Sequence, residues 1–369
     1  MRKHNVKNER IKRQYLAFLG EAKRLSPKSV DQAAAAIASF EASTGHKDFA
    51  HFHIEQARKF KRDVHDATNP ATGKPLAKAT IHSRLMALKA FAQWLAGQPG
   101  YKSRIRYSDA EYFNPSANDS RIATAHRERP VPSMEQIRHA IFSMRNGTGI
   151  EKRNRAIIAF GILSGARDDA IASLSLRHID LTARTIFQDA RTVRTKNRAT
   201  LTSSFFPVGA DIEDIVIDWI SYLKTEMLFG PDDPLFPATR VGLNEAGHFA
   251  PIGLDRKFWK NADAIRRIYR EAFEAVGLPY FNPHSFRKTL AQIGIEVTTT
   301  TEEWAAWSAN FGHANVATTF QSYAKVPSHR RAEIFERLNK SATMDALSPD
   351  VPDQDTIARV VAFLQLKAG

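Results

Sequence analysis

The chain has 369 residues, 43% hydrophobic and 10% aromatic, which suffices for two domains with cores of their own. It carries no cysteine, so disulfides and thiolate metal sites are excluded. No stretch reaches the ~18 consecutive apolar residues of a membrane helix, and the formal net charge of +14 favours a polyanionic partner.

Residues 1–30 hold nine Lys/Arg against two Glu, so half of the excess charge lies there. Acidic lipid would also attract this segment, but it has no bulky apolar face for an interface, and it lacks the apolar run of a signal peptide. Residues 1–9 read as a flexible basic arm. A helical apolar pattern starts at Tyr15, Leu16, Phe18 and Leu19. Ser26-Pro27 predicts the cap and first turn of the next helix, and a short helix follows near 54–64. The stretch 66–77, with Asn69-Pro70 and Gly73, reads as a loop. In 78–96, Ile81, Leu85, Leu88, Ala92 and Leu95 recur at helical spacing, and Lys78, His82 and Lys89 share a flanking stripe that could face phosphates or merely be solvated.

Residues 112–133 lack apolar periodicity, which predicts an interdomain linker at 119–131. Ser133 to Gln136 has capping-box spacing and opens the second domain. The apolar run 153–163 suits a buried helix broken at Gly165, and 168–177 reads as another helix. β-branched and aromatic residues at 185–187, Val193 and 200–208 predict a small antiparallel sheet, with Lys196-Asn197-Arg198 near a turn. A helix over 212–228, a Pro/Gly-rich loop to about residue 252 and a helix ending at Val276 follow. Pro283 leads into a helix beginning HSFR, and Gln354 onward reads as a terminal helix.

Six residues in the second half supply chemistry: Arg167, Lys196, His284, Arg287, His313 and Tyr323. Guanidinium groups can meet the charge that builds on phosphate oxygens during phosphodiester cleavage. Arg167 follows a glycine break and so stands at a helix start. His284 and Arg287, three apart on a helix, share a face. A tyrosine nucleophile must lose its proton as it attacks, and a leaving 5′-oxygen must gain one, which a lysine on a hairpin can give. There is no P-loop and no H-E-x-x-H.

The segment SGARDDAIASLSLRHID (164–180) resembles the first box of the tyrosine recombinases, the phage-integrase family. HSFRKTL (284–290) resembles the second-box H-x-x-R, and FGHANVATTFQSYAKV (311–326) the closing G-H … Y segment. SPKSVDQA (26–33) and ATIHSRLMALKAFAQWL (79–95) fit that family's helical core-binding domain. The resemblance implies a mainly α fold with a small antiparallel β-sheet. Its parts would be an arm (1–9), a helical core-binding, SAM-like DNA-binding domain (10–118), a linker (119–131), an α+β catalytic domain (132–345) and a C-terminal tail with a helix (346–369). Tyr323 would form a 3′-phosphotyrosyl link, Arg167 and Arg287 would hold the phosphate, and Lys196 would protonate the leaving oxygen. His284 would assist proton transfer and His313 would bond a phosphate oxygen. Arg194 and Arg198 flank the lysine and, with Lys78, His82 and Lys89, are candidate DNA contacts. No metal and no other cofactor is implied.

The implied partners are double-stranded DNA bearing a specific recombination site, a homo-tetramer on paired sites, and accessory directionality factors, with no membrane. The setting would be cytoplasmic and DNA-associated, of bacterial or phage origin. The biological role reads as an integrase or transposase of a mobile element. A type IB topoisomerase-like nicking and sealing enzyme and a catalytically silent DNA-binding accessory protein stay open as alternatives. Two departures stand out. The family often has an acidic residue three positions after the first arginine, where this chain has Ala170, with Asp168 and Asp169 earlier; and His313 and Tyr323 are one position further apart than expected. The tail would pack on its own subunit or on a neighbour.

Overall fold

A computed structural model describes residues 4–70, 72–125, 130–195, 198–243, 247–312 and 335–336. By internal packing the chain divides into two units, Met1–Arg127 and Glu128–Gly369. No described helix is long and apolar enough to cross a membrane.

The first unit is helical: α1 (Val6–Ala17), which continues as a wider turn over Phe18–Ala22, α2 (Pro27–Ser43), α3 (Ile54–Asp66), α4 (Lys78–Ala96) and α5 (Ala117–Thr124). Ser26 caps α2, its hydroxyl accepting from the Ser29 N–H with Pro27 in the first turn, as its sequence predicts. The core gathers Ile37, Phe40, Phe49, Phe60, Leu85, Leu88, Phe91 and Phe113. Phe40 meets Phe60 and Phe113 edge-on at centroid distances of 5.5 and 5.3 Å.

Two expectations for this unit need correction. The basic arm of 1–9 is already helical from Val6, because Asn5 caps the first turn and the fully buried Asn8 donates to Glu41 Oε1 at 2.8 Å and Lys47 O at 2.9 Å. A polar residue anchors this turn, so apolar periodicity misses it. The first part of the expected linker is helix α5, capped by the Ser116 hydroxyl accepting from the Asp119 N–H at 3.0 Å.

In the second unit come α6 (Met134–Ser143), α7 (Gly149–Ser164), α8 (Asp168–Ile171), β1 (Ile179–Asp180), β2 (Thr185–Gln188), β3 (Leu201–Ser204), α9 (Ala210–Thr225), β4 (Ala238–Leu243), β5 (Phe249–Asp255), α10 (Asp263–Glu274), α11 (Pro283–Val297) and α12 (Thr301–Asn310). The sheet is antiparallel in order β1-β2-β3, with Ile186 opposite Ser203, and β4 pairs with β5 as a separate hairpin. The architecture is mainly α with small antiparallel sheets, as expected. Ser133 forms its capping box with Gln136. Helix α7 is buried on every side from Ala156 to Ser164 and is the central rod of the core.

The expected helix over 168–177 is a single turn. Beyond it the backbone bonds outward instead: Leu235 N–H donates to Leu174 O at 2.9 Å and Leu176 N–H to Asp233 O at 3.1 Å. These partners satisfy the groups that further helix would have paired. The expected Pro/Gly-rich loop before residue 252 contains the β4–β5 hairpin, and helix α10 starts only at Asp263. The buried Arg153 fastens the hairpin to α7, donating to Pro237 O at 3.0 Å and Thr239 Oγ1 at 2.9 Å. Burial lowers its pKa to about 10, so it stays charged near neutrality.

Candidate active site

Three turns build the site. Gly165 ends α7 in the left-handed conformation, φ 59°. A Cβ there would lie 2.9 Å from the Phe206 ring and 3.2 Å from Leu290, so glycine is required by space as well as by φ. The chain then turns through Ala166, and Arg167 stands half-buried at the N-cap of α8. Asn282 caps α11, accepting from the Ser285 N–H at 3.1 Å. This sets His284 and Arg287 one turn apart near the start of that helix. Finally, α12 ends at Asn310, and Phe311-Gly312 leads into the G-H segment. Gly294 lets the Trp307 indole lie against α11, where it donates to Leu290 O at 3.0 Å; a Cβ at 294 would be 2.5 Å from the indole nitrogen.

Arg287 joins all three turns. It is 2% exposed. Its Nη1 donates to Gly165 O at 2.5 Å and its Nη2 to Phe311 O at 2.8 Å, while the guanidinium lies 4.8 Å from the Phe311 ring centre. One side chain thus bonds the turn before Arg167 to the turn before His313.

His284 is exposed at the surface, yet the surrounding protein desolvates its ring. That desolvation, then the charges of Arg287, Arg167 and Lys288, push its pKa down to about 4, with Asp168 opposing. Arg167, His284 and Arg287 therefore lie within electrostatic reach of one another, and the imidazole is neutral near pH 7. An unfolded chain would protonate it near ~6.5. Above that pH the two states are alike at this group; as pH falls from about 6.5 to about 4, the unfolded state takes up the proton first and stability is lost. The urea midpoint should fall more between about pH 7.5 and about pH 5 for the wild type than for His284→Asn. Equal falls would mean that the imidazole is not held neutral.

Both carboxylates after Arg167 are engaged. Asp168 accepts from Arg266 Nε at 2.7 Å, and Asp169 from Arg194 Nε at 3.0 Å. Neither pairing follows from local sequence, because the arginines lie 98 and 25 residues away; the adjacent acidic residues Asp168 and Asp169 are the sole local signal. Arg194, a candidate DNA contact, is thus tied to α8, and Arg198 is exposed with φ 52°. In the first unit, Lys78 pairs with Asp119 at 2.7 Å and Lys89 with Glu111 at 2.9 Å, while His82 is half-exposed. Lys196, His313 and Tyr323 lie outside the described residues, as does the expected C-terminal helix. Among the described residues, no group of three or more His, Asp or Glu is placed to hold a metal ion.

Residues 133–330, more than half of the chain, match the phage integrase family. The chain belongs to that family. It is a tyrosine recombinase, an enzyme of DNA strand breakage and rejoining. The tyrosine recombinase XerC of Actinobacillus succinogenes is 24% identical over 276 residues, covering 72% of this chain and 78% of that one. The recombinase also shares its fold with solved structures. A lambda integrase dimer bound to a COC′ core site has a TM-score of 0.58 at 11% identity, over 85% of this chain and 94% of that chain. The Tn1549 transposon integrase in complex with transposon right end DNA has a TM-score of 0.55 at 15% identity, over 89% of this chain and 98% of that chain. The XerH site-specific recombinase bound to a palindromic difH substrate has a TM-score of 0.54 at 13% identity, over 88% and 83%. Within the recombinase, Arg287 of the HSFR segment bonds the turn before Arg167 to the turn before His313.

Proposed function

We propose that this recombinase acts on duplex DNA at a specific site, as the integrase or transposase of a mobile element, through a 3′-phosphotyrosyl intermediate. The observation that carries the reading is the cluster of Arg167, His284 and Arg287, with Arg287 bonded to the turns that precede Arg167 and His313. Two guanidinium groups beside a neutral imidazole suit a phosphate whose charge grows during reaction.

In the proposed step the Tyr323 oxygen bonds to phosphorus as the bond from phosphorus to the 5′-oxygen breaks. His284, neutral, takes the phenolic proton, and Lys196 gives a proton to the leaving oxygen. His313 donates to a phosphate oxygen. The tyrosyl ester keeps the energy of the broken bond, so an incoming 5′-hydroxyl reseals the strand by the reverse reaction. No metal or other cofactor has a step here. In the family's domain scheme, the first unit is the core-binding domain and the second the catalytic domain. Lys78, His82 and Lys89 face DNA phosphates, which requires Asp119 and Glu111 to yield the two lysines. Four copies assemble on paired sites, with directionality set by accessory factors, in the cytoplasm. The DNA complexes of the lambda, Tn1549 and XerH proteins support the choice of partner.

The substrate site can be recovered by covalent capture from random-sequence duplexes. Purified protein given two captured sites on separate DNAs should exchange their strands. Relaxation of supercoils with no exchange would instead assign a nicking and sealing enzyme.

A further inference from the structure

We propose that Asp169 and Arg194 are a positioning pair that sets the reach of the loop carrying Lys196. The inference rests on the reading of Lys196 as the proton donor.

Arg194 is held from several directions. Its Nε donates to Asp169 Oδ1 at 3.0 Å, its Nη2 to Trp259 O at 3.1 Å, and its backbone N–H to Ser173 Oγ at 2.9 Å. Ser173 Oγ in turn lies 3.0 Å from Asp169 O and 3.1 Å from Ala170 O. Position 194 is therefore fastened to the one-turn helix that Arg167 opens. Val193, just before it, is 3% exposed and anchors the loop in the core. Beyond the loop, Asn310 grips β3, accepting from Ser204 N–H at 2.6 Å and donating to Ser204 O at 2.9 Å. Leu201 packs where a Cβ on Gly312 would stand, 2.7 Å away. Arg194 is thus tied to the segment of Arg167, and Leu201 and Ser204 to the end of α12 and Gly312. Lys196 follows Arg194 by two residues, a reach of about 7 Å at full extension.

The side chains of Arg194 and Asp169 are 37% and 53% exposed, and a pair so exposed has little effect on folding. Its consequence is geometric. Ala170 is buried and has no polar side chain, so the carboxylates fixed after Arg167 are those of Asp168, held by Arg266, and Asp169, held by Arg194, and only the second is tied to the segment that leads to Lys196.

The test uses the full chain and nicked duplexes of the captured site, with either oxygen or sulfur at the scissile 5′ position. A sulfur leaving group departs as a thiolate and needs no proton. Asp169→Asn and Arg194→Gln should each slow cleavage of the oxygen duplex on the order of 10- to 100-fold. Both should cleave the sulfur duplex at the wild-type rate, as Lys196→Ala should. The swapped double variant Asp169→Arg, Arg194→Asp should recover most of the lost oxygen-duplex rate. Equal slowing on both duplexes, no slowing on either, or weaker DNA binding by Arg194→Gln with no change in Asp169→Asn would overturn the proposal. If sulfur does not rescue Lys196→Ala, the proton-donor reading fails first and the pair's role falls with it.

Discussion

Arg287→Ala is expected to abolish detectable covalent cleavage and to destabilise the second unit in the same stroke. The two losses have separate origins. Removing a positioned donor from a phosphate's developing charge costs on the order of 100- to 1,000-fold in rate. Removing the buried guanidinium also strands Gly165 O and Phe311 O, which now accept its Nη1 and Nη2. A hydrogen bond to a charged group contributes about 1.5–3 kcal/mol, so a loss of about 2–4 kcal/mol in urea denaturation is expected. Arg167→Ala separates the effects. Arg167 is half-buried at a helix N-cap, so its loss should damage cleavage comparably and shift stability by under about 1 kcal/mol. Arg287→Lys should not rescue either property, since a single ammonium lacks the planar fork that reaches two carbonyls. A wild-type urea midpoint for Arg287→Ala would remove Arg287 from its place as the tie between the boxes.

Much of this fold is legible in the sequence because its signals are local. Ser26-Pro27 and Ser133 to Gln136 announce helix starts through caps that lie within four residues. Helix α4 matches its apolar spacing, Lys78–Ala96. Gly165 marks a break that only a left-handed turn explains. The failures are equally physical. Helix α1 begins on a buried amide network anchored at Glu41, far along the chain. The helix after Arg167 stops after one turn because its continuation bonds to residues 231–235. The β4–β5 hairpin exposes Val241, Leu243 and Phe249, so it lacks the alternation that marks a half-buried strand. For the site, motif order identifies Arg167, His284 and Arg287. It says nothing of the carbonyls that orient Arg287, or of the partners that occupy Asp168 and Asp169.

The largest single effect should come from Tyr323, the proposed nucleophile, on whose bond to phosphorus the proposed reaction depends. A phenol ring without its hydroxyl has no nucleophile to offer, while Phe keeps the ring's bulk, so Tyr323→Phe should bind the captured site with wild-type affinity. The direct measurement is a suicide duplex nicked beside the scissile phosphate, which traps the cleaved strand by losing its short 5′-hydroxyl fragment. Wild-type protein should accumulate a protease-sensitive adduct joined through Tyr323 to a 3′-phosphate, and Tyr323→Phe should accumulate none. An adduct of undiminished yield from Tyr323→Phe would contradict the assignment of the nucleophile.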